Sequence, residues 1–77
     1  MREILIKIMS QVFNTDKNSI NEFSTMNSVE NWDSLKHIDL MMSIEEEFEI
    51  TFMADEIAGM NSFKKITEAL KSRGVHA

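Results

Sequence analysis

The chain contains no proline and only two glycines, Gly59 and Gly74, among its 77 residues. Proline and glycine are the strongest local interruptions of a helix, and the first 58 residues contain neither. Apolar and polar residues also do not alternate over any run long enough to predict a sheet. The sequence therefore predicts an all-α fold, a small bundle of three main helices plus one short helix. We expect residues 1–77 to form a single domain.

The helical spacing of apolar residues locates these helices. We expect them over Arg2 to Phe13, Ser34 to about Phe48, Ala54 to Ile57 (ended by Gly59), and from an N-cap at Ser62 to a stop at Gly74. The polar stretch between the first two helices, residues 14–31, is expected to be a long loop. Its apolar residues are predicted to anchor it to the core, and they are Ile20, Phe23, Met26 and Val29.

The second predicted helix is apolar over more than half of its circumference. Its apolar residues are Leu35, Ile38, Leu40, Met41, Met42, Ile44 and Phe48. Such a helix is expected to pack on several sides, as the central helix of the bundle. Asp39 and Glu46 fall on one edge, bordered by Leu35 and Met42, and carboxylates beside exposed aliphatic side chains are typical of a docking surface. The alternative is a solvated face that only keeps the chain in solution.

Charge is distributed unevenly along the chain, whose net charge is −5. Residues 30–56 contain nine acidic side chains against one basic one, a net −8, whereas the rest has seven basic against four acidic, a net +3. An acidic centre disfavours nucleic acid, whose phosphates it would repel, and fits a basic protein surface. The only histidines, His37 and His76, lie far apart and cysteine is absent, so no zinc site is expected. With no continuous apolar stretch, we expect a cytoplasmic chain with no membrane span.

Ser34 stands where a polar run gives way to the second helix, and three interpretations fit it. As a helix cap, either Asp33 or Ser34 would accept a hydrogen bond from a free backbone N–H, worth about 1 kcal/mol. As a nucleophile, Ser34 would rely on His37 three residues later, but the pattern supplies no acid to orient the imidazole and no glycine-rich oxyanion turn. As an attachment point, a phosphodiester on Ser34 would be stabilised by the positive end of the helix dipole.

Three stretches in and around this helix carry a family resemblance: DSL at 33–35, IDL at 38–40 and SIEEEFEI at 43–50. Together they closely resemble the acyl carrier protein family. The order and length of the predicted helices are also similar, so the resemblance extends over nearly the whole chain. It implies an acyl-carrier-like fold and a protein that is not itself an enzyme.

The resemblance also implies roles for individual residues. Ser34 would hold 4′-phosphopantetheine, installed from coenzyme A by a phosphopantetheinyl transferase, and Asp33 would help the transferase and its metal engage the site. Acyl or aminoacyl cargo would be carried as a thioester on the arm. Loading and transferring enzymes with basic surfaces would dock at positions matching Leu35, Asp39, Met42 and Glu46, with Glu45, Glu47 and Asp55 as secondary candidates. A monomer is expected, because a mobile arm must visit several active sites.

Some residues depart from the housekeeping fatty-acid carriers, which usually have Gly-Ala before the serine motif. Here Trp32 precedes it, and Lys36 and His37 follow it and reduce the negative potential there. These residues look more like those of stand-alone carriers in specialised pathways, which handle polyketide-like products, surface sugars or single aminoacyl units. His37 is expected at the surface. A second hypothesis is an unmodified acidic helical adaptor that binds a basic protein surface.

Overall fold

The computed structural model describes residues 1–75 as a bundle of four helices. In chain order they are α1 (Arg2–Phe13), α2 (Ser34–Phe48), α3 (Ala54–Gly59) and α4 (Phe63–Ser72), with a 3-10 turn at Lys17–Ser19. No strand occurs in this range, and the predicted all-α bundle of three main helices plus one short helix is confirmed. None of these helices is long and apolar enough to cross a membrane. His76, one of the two histidines for which no zinc site is expected, lies outside the described residues.

The helix ends follow the local chemistry of the sequence. Ser62 caps α4 as predicted, because its Oγ accepts from the backbone N–H of Lys65 at 3.1 Å. Gly74, two residues past the end of α4, has a φ of 86°, a left-handed conformation that favours glycine. Asn14 and Glu49 adopt the same region just after α1 and α2, so these two helices end without glycine.

One apolar core is formed by α1, α2, α4 and the connecting segments, and the half-buried Ile57 of α3 packs against it. α1 packs along α2, and the loop and the α3–α4 segment close over the remaining sides. The buried apolar residues are Leu5, Ile8, Met9, Phe13, Ile20, Trp32, Leu40, Met41, Ile44, Phe52, Met60, Phe63, Ile66 and Leu70. This core includes residues from only one face of α2, so the expectation that α2 packs on several sides is wrong. Phe48, at the end of α2, is half-buried against the core, whereas Leu35, Ile38 and Met42 are exposed.

The long loop after α1 is held by hydrogen bonds as well as by apolar anchors. Ile20 is buried, and Met26 and Val29 pack against the core, as predicted. The prediction for Phe23 is wrong, because its side chain is 79% exposed. The buried Ser24 occupies the inward position instead, where its carbonyl accepts from the N–H of Phe63 at 2.9 Å. The loop therefore runs against the start of α4, fixed by its backbone.

Candidate functional site

The start of α2 is organised by Asp33. Its Oδ1 accepts from the backbone N–H of Lys36 at 2.8 Å, so Asp33, and not Ser34, is the N-cap. Ser34 is the first helical residue and is exposed. Among residues 1–75, no hydrogen-bond partner is found for its hydroxyl. The site therefore presents a serine Oγ to solvent at the positive end of a 15-residue helix.

Asn31 and Trp32 fix the position of that helix start. The side-chain amide of Asn31 donates to the carbonyl of Phe13 at 2.6 Å, which ties the end of the loop to the end of α1. Trp32 is buried and stacks on Phe13, with ring centroids 5.1 Å apart. Packing and a hydrogen bond thus anchor the residues just before Ser34, and this fixes the position of the exposed serine.

His37 is buried, with only 7% of its surface exposed, so the surface position expected from the sequence is wrong. It lies on the same face of α2 as Leu40, Met41 and Ile44, at spacings of three, four and seven residues. Its Nδ1 lies 3.0 Å from Trp32 Nε1, and its Nε2 lies 2.7 Å from the carbonyl oxygen of Ile57. Burial of the imidazole therefore leaves neither ring nitrogen without a hydrogen bond.

The partners of His37 also define its tautomer. The Trp32 indole N–H donates only, so Nδ1 must accept, and the Ile57 carbonyl accepts only, so Nε2 must carry the proton. With both nitrogens engaged away from Ser34, the imidazole is not placed to take a proton from the serine hydroxyl. The hydrogen bond to Ile57 also joins the first turns of α2 to α3.

A groove of about 500 Å³ opens beside Ser34, between α2 and α3. Its lining is mostly apolar and consists of Met26, Ser34, His37, Ile38, Ala54, Ile57 and Ala58. Of these residues, only Ser34 is a predicted attachment site, and the sequence suggests a role for His37 only as a base for it. The others carry no pattern that would have revealed a groove, because tertiary packing of the loop and α3 brings them to the serine.

The predicted docking residues lie mainly on the solvent side of α2. Leu35 and Met42 are 74% and 62% exposed, and Asp39 and Glu46 are exposed beside them. They form one surface, which we call the α2 edge. Ile38 adds a further half-exposed aliphatic side chain to it.

The secondary candidates are not equivalent. Glu47 is exposed on α2, and Asp55 is exposed in the first turn of α3. Glu45 is half-buried, and its Oε2 accepts from the backbone N–H of Phe52 at 2.8 Å. One oxygen of Glu45 is therefore used to hold the segment between α2 and α3.

Glu56 and Arg73 form an ion pair next to the segment between α2 and α3. The Arg73 guanidinium donates to Glu56 Oε1 and lies 4.6 Å from the centroid of the Phe52 ring. The hydrogen bond from Arg73, helped by one from the N–H of Met53, lowers the pKa of the Glu56 carboxyl, and the same pair raises the pKa of Arg73. The pair links α3 to the end of α4.

Metal-binding groups are not clustered here. Over residues 1–75, no group of three or more His, Cys, Asp or Glu side chains is arranged to hold a metal ion. The sequence has no match among the known protein families or the curated proteins.

Proposed function

We propose that this chain is a carrier protein that bears 4′-phosphopantetheine on Ser34, attached from coenzyme A by a phosphopantetheinyl transferase. The observation that supports this most directly is the exposed Ser34 hydroxyl at the first position of α2, next to a cap supplied by a different residue. The thiol at the end of the bound group would carry acyl or aminoacyl units as thioesters. The protein would hold the cargo and present it, while partner enzymes perform the reactions.

Asp33 supports the attachment by taking the capping role itself. Because its carboxylate satisfies the N–H of Lys36, modification of Ser34 costs the helix no cap. A phosphodiester on Ser34 would lie at the positive end of the helix dipole, which favours negative charge by about 0.3–1 kcal/mol at an exposed site. The residues present thus fit a phosphate-linked group.

The groove beside Ser34 fits the arm or an apolar part of its cargo. It begins at the serine, and its walls include the aliphatic side chains of Ile38, Ala54 and Ala58. Apolar cargo that lies there would be removed from water, at roughly 25 cal/mol per Å² of buried apolar surface. The hydrogen bond between His37 and Ile57 links α2 to α3, the two helices that form the walls of the groove.

The α2 edge fits partner enzymes with basic docking surfaces. Leu35 and Met42 offer apolar contact area, while Asp39 and Glu46 attract and orient a basic partner. The transferase and the enzymes that load and unload cargo would use this edge in turn. We expect a monomer, because a mobile arm must visit several active sites.

The decisive experiment is intact-protein mass measurement after incubation with coenzyme A, Mg²⁺ and a broad-specificity phosphopantetheinyl transferase. We expect one added phosphopantetheine on the parent chain and on Ser19→Ala, a control at another exposed serine, and none on Ser34→Ala. Absence of added mass on the parent, under conditions that load a known carrier, would refute the proposal. Addition to Ser34→Ala would refute the assigned site.

The alternative function is an unmodified acidic adaptor, for which the α2 edge would suffice without any prosthetic group. The same variant separates the two. Ser34→Ala should fold normally and abolish the function of a carrier in cells, whereas an adaptor should retain its function, since Asp33 still caps the helix.

A further inference from the structure

A second groove, of about 550 Å³, lies between the N-terminal end of α1, the loop and α4. It shares no lining residue with the groove at Ser34, and none of its lining comes from α2 or α3. We propose that this basic groove, lined by Arg2, Phe23, Phe63, Lys64 and Lys71, binds an acidic segment of a partner protein that inserts an apolar side chain. The proposal does not depend on the modification of Ser34.

Phe23 and Phe63 supply the apolar part of the basic groove. Phe63 is 2% exposed and lies under the guanidinium of Arg2, which is 5.5 Å from its ring centroid. Phe23 is exposed, yet the backbone around it is fixed, since its N–H donates to Asn21 Oδ1 at 2.8 Å. An exposed aromatic residue on an ordered turn offers contact area with little ordering cost on binding.

Three cations surround this apolar surface. Lys64 and Lys71 are exposed and seven residues apart on one edge of α4, with Thr67 between them. Neither lysine has an acidic side chain within ion-pair distance among residues 1–75. Arg2 is the third cation, and its Nη1 lies 3.7 Å from the one carboxylate in the groove, Glu22. The groove thus has surplus positive charge beside aromatic side chains, the complement of an acidic apolar segment.

The shape of the groove favours a protein segment over an anionic membrane. Membrane association is favoured by apolar side chains that project beyond a ring of cations. Here Phe23 projects, but Phe63 lies within the concavity with 2% of its surface exposed, and Glu22 brings a carboxylate to the groove, which anionic lipid would repel. A concave apolar site ringed by charge suits a single aromatic or aliphatic side chain flanked by Asp or Glu.

Selection from a display library of random peptides, each about a dozen residues long, tests the proposal on the intact chain. The peptides recovered on the parent are expected to combine Asp or Glu with an aromatic or aliphatic residue. Their binding should weaken about tenfold in K64E/K71E and in Phe23→Ser, and should also weaken as salt is raised, because exposed charges are screened. The matched control is Lys65→Glu, an exposed lysine of α4 outside the groove, which should bind as the parent does.

Two results would overturn this assignment. The first is a failed peptide test: either no acidic peptide is recovered, or the recovered peptides bind the parent and K64E/K71E equally well. The other comes from sedimentation with vesicles of equal parts phosphatidylcholine and phosphatidylglycerol. If the parent binds these vesicles and K64E/K71E does not, while no acidic peptide is recovered, the basic groove is a membrane contact. Circular dichroism of each variant confirms that it remains folded, so a loss of binding can be read as a loss of contact.

Discussion

Each face of α2 contains an exception to the usual arrangement, in which apolar side chains are buried and polar ones are exposed. The inward face buries a histidine, His37, among aliphatic neighbours, whereas the outward face leaves Leu35 and Met42 largely in water. Burial of His37 has an internal explanation, because Trp32 and Ile57 satisfy both of its nitrogens. Exposure of the two aliphatic residues has no such explanation within the fold.

This difference separates the residues that maintain the bundle from those that face solvent. Side chains on the inward face are fixed by packing and hydrogen bonds, so changes there should affect stability. Side chains on the outward face contact little of the chain, and an exposed apolar patch beside carboxylates is characteristic of an interaction site. The comparison can be tested with substitutions that remove the same atoms from each face.

The largest difference is expected between two leucines of α2. Leu40 is fully buried, and Leu40→Ala should lower the free energy of unfolding by about 2–5 kcal/mol through lost burial and the cavity left behind. Leu35 is 74% exposed, and Leu35→Ala should change it by no more than about 0.5 kcal/mol. Urea unfolding followed by circular dichroism measures both. Equal losses would show that the two faces do not differ as described.

The two leucine variants should rank in the opposite order when the proposed modification of Ser34 by the transferase is measured. Leu35→Ala should raise the transferase concentration needed for half-maximal modification of Ser34, because it removes contact area from the α2 edge. Leu40→Ala should leave that concentration nearly unchanged under conditions where the variant is folded. If the concentration needed for Leu35→Ala equals that of the parent, Leu35 is not part of a docking surface for the transferase.

A smaller loss is expected from breaking the polar contacts of the inward face. His37→Phe leaves the indole N–H of Trp32 and the carbonyl of Ile57 without their partners, which should cost about 1–3 kcal/mol. Trp32→Phe removes the donor to His37 together with part of the buried ring that stacks on Phe13. Unfolding of both single variants and the double variant forms a cycle, and the two losses should not add, because the residues share a hydrogen bond. Additive losses would mean that the Trp32–His37 bond contributes nothing to stability.

The cap of α2 should contribute about 1 kcal/mol, less than either inward contact. Asp33→Ala removes the acceptor for the N–H of Lys36 and should destabilise by that amount. Asp39→Ala is the matched control, since Asp39 is exposed in the middle of the same helix. A comparison of their unfolding midpoints isolates the cap from the loss of a charge. A similar effect of both variants would assign the loss to charge instead.

The sequence was sufficient to predict the helices, because each has apolar residues at helical spacing and an identifiable end. Ser62 and Gly74 bound α4 as expected, and the solvent position of Leu35 and Met42 follows from their place beside Asp39. Local chemistry determines these features, and local chemistry can be read from neighbouring residues.

His37 and Phe23 could not be predicted in the same way. The burial of His37 depends on a carbonyl twenty residues away in α3, and nothing in its own segment indicates that partner. Phe23 is exposed because Ser24 takes the inward position and its carbonyl binds the N–H of Phe63. In both cases a long-range hydrogen bond overrides hydropathy. The grooves were missed for a related reason, since their walls come from separate elements.

The smallest expected effect concerns acid and the ion pair that links α3 to α4. Arg73 lowers the pKa of Glu56 in the folded chain below its ordinary value, which the unfolded chain retains. The contribution of the Glu56 carboxylate to folding stability is therefore fully present when the pH is above the ordinary pKa. It is lost as the pH falls through the lower pKa of the folded chain. Glu56→Gln should unfold more easily than the parent at neutral pH, and this difference should shrink towards zero as the medium is acidified. The control Glu68→Gln, an exposed residue of α4, should show little difference at any pH. A deficit in Glu56→Gln that persists in acid would mean that the hydrogen-bond geometry of this residue, and not its charge, joins the two helices.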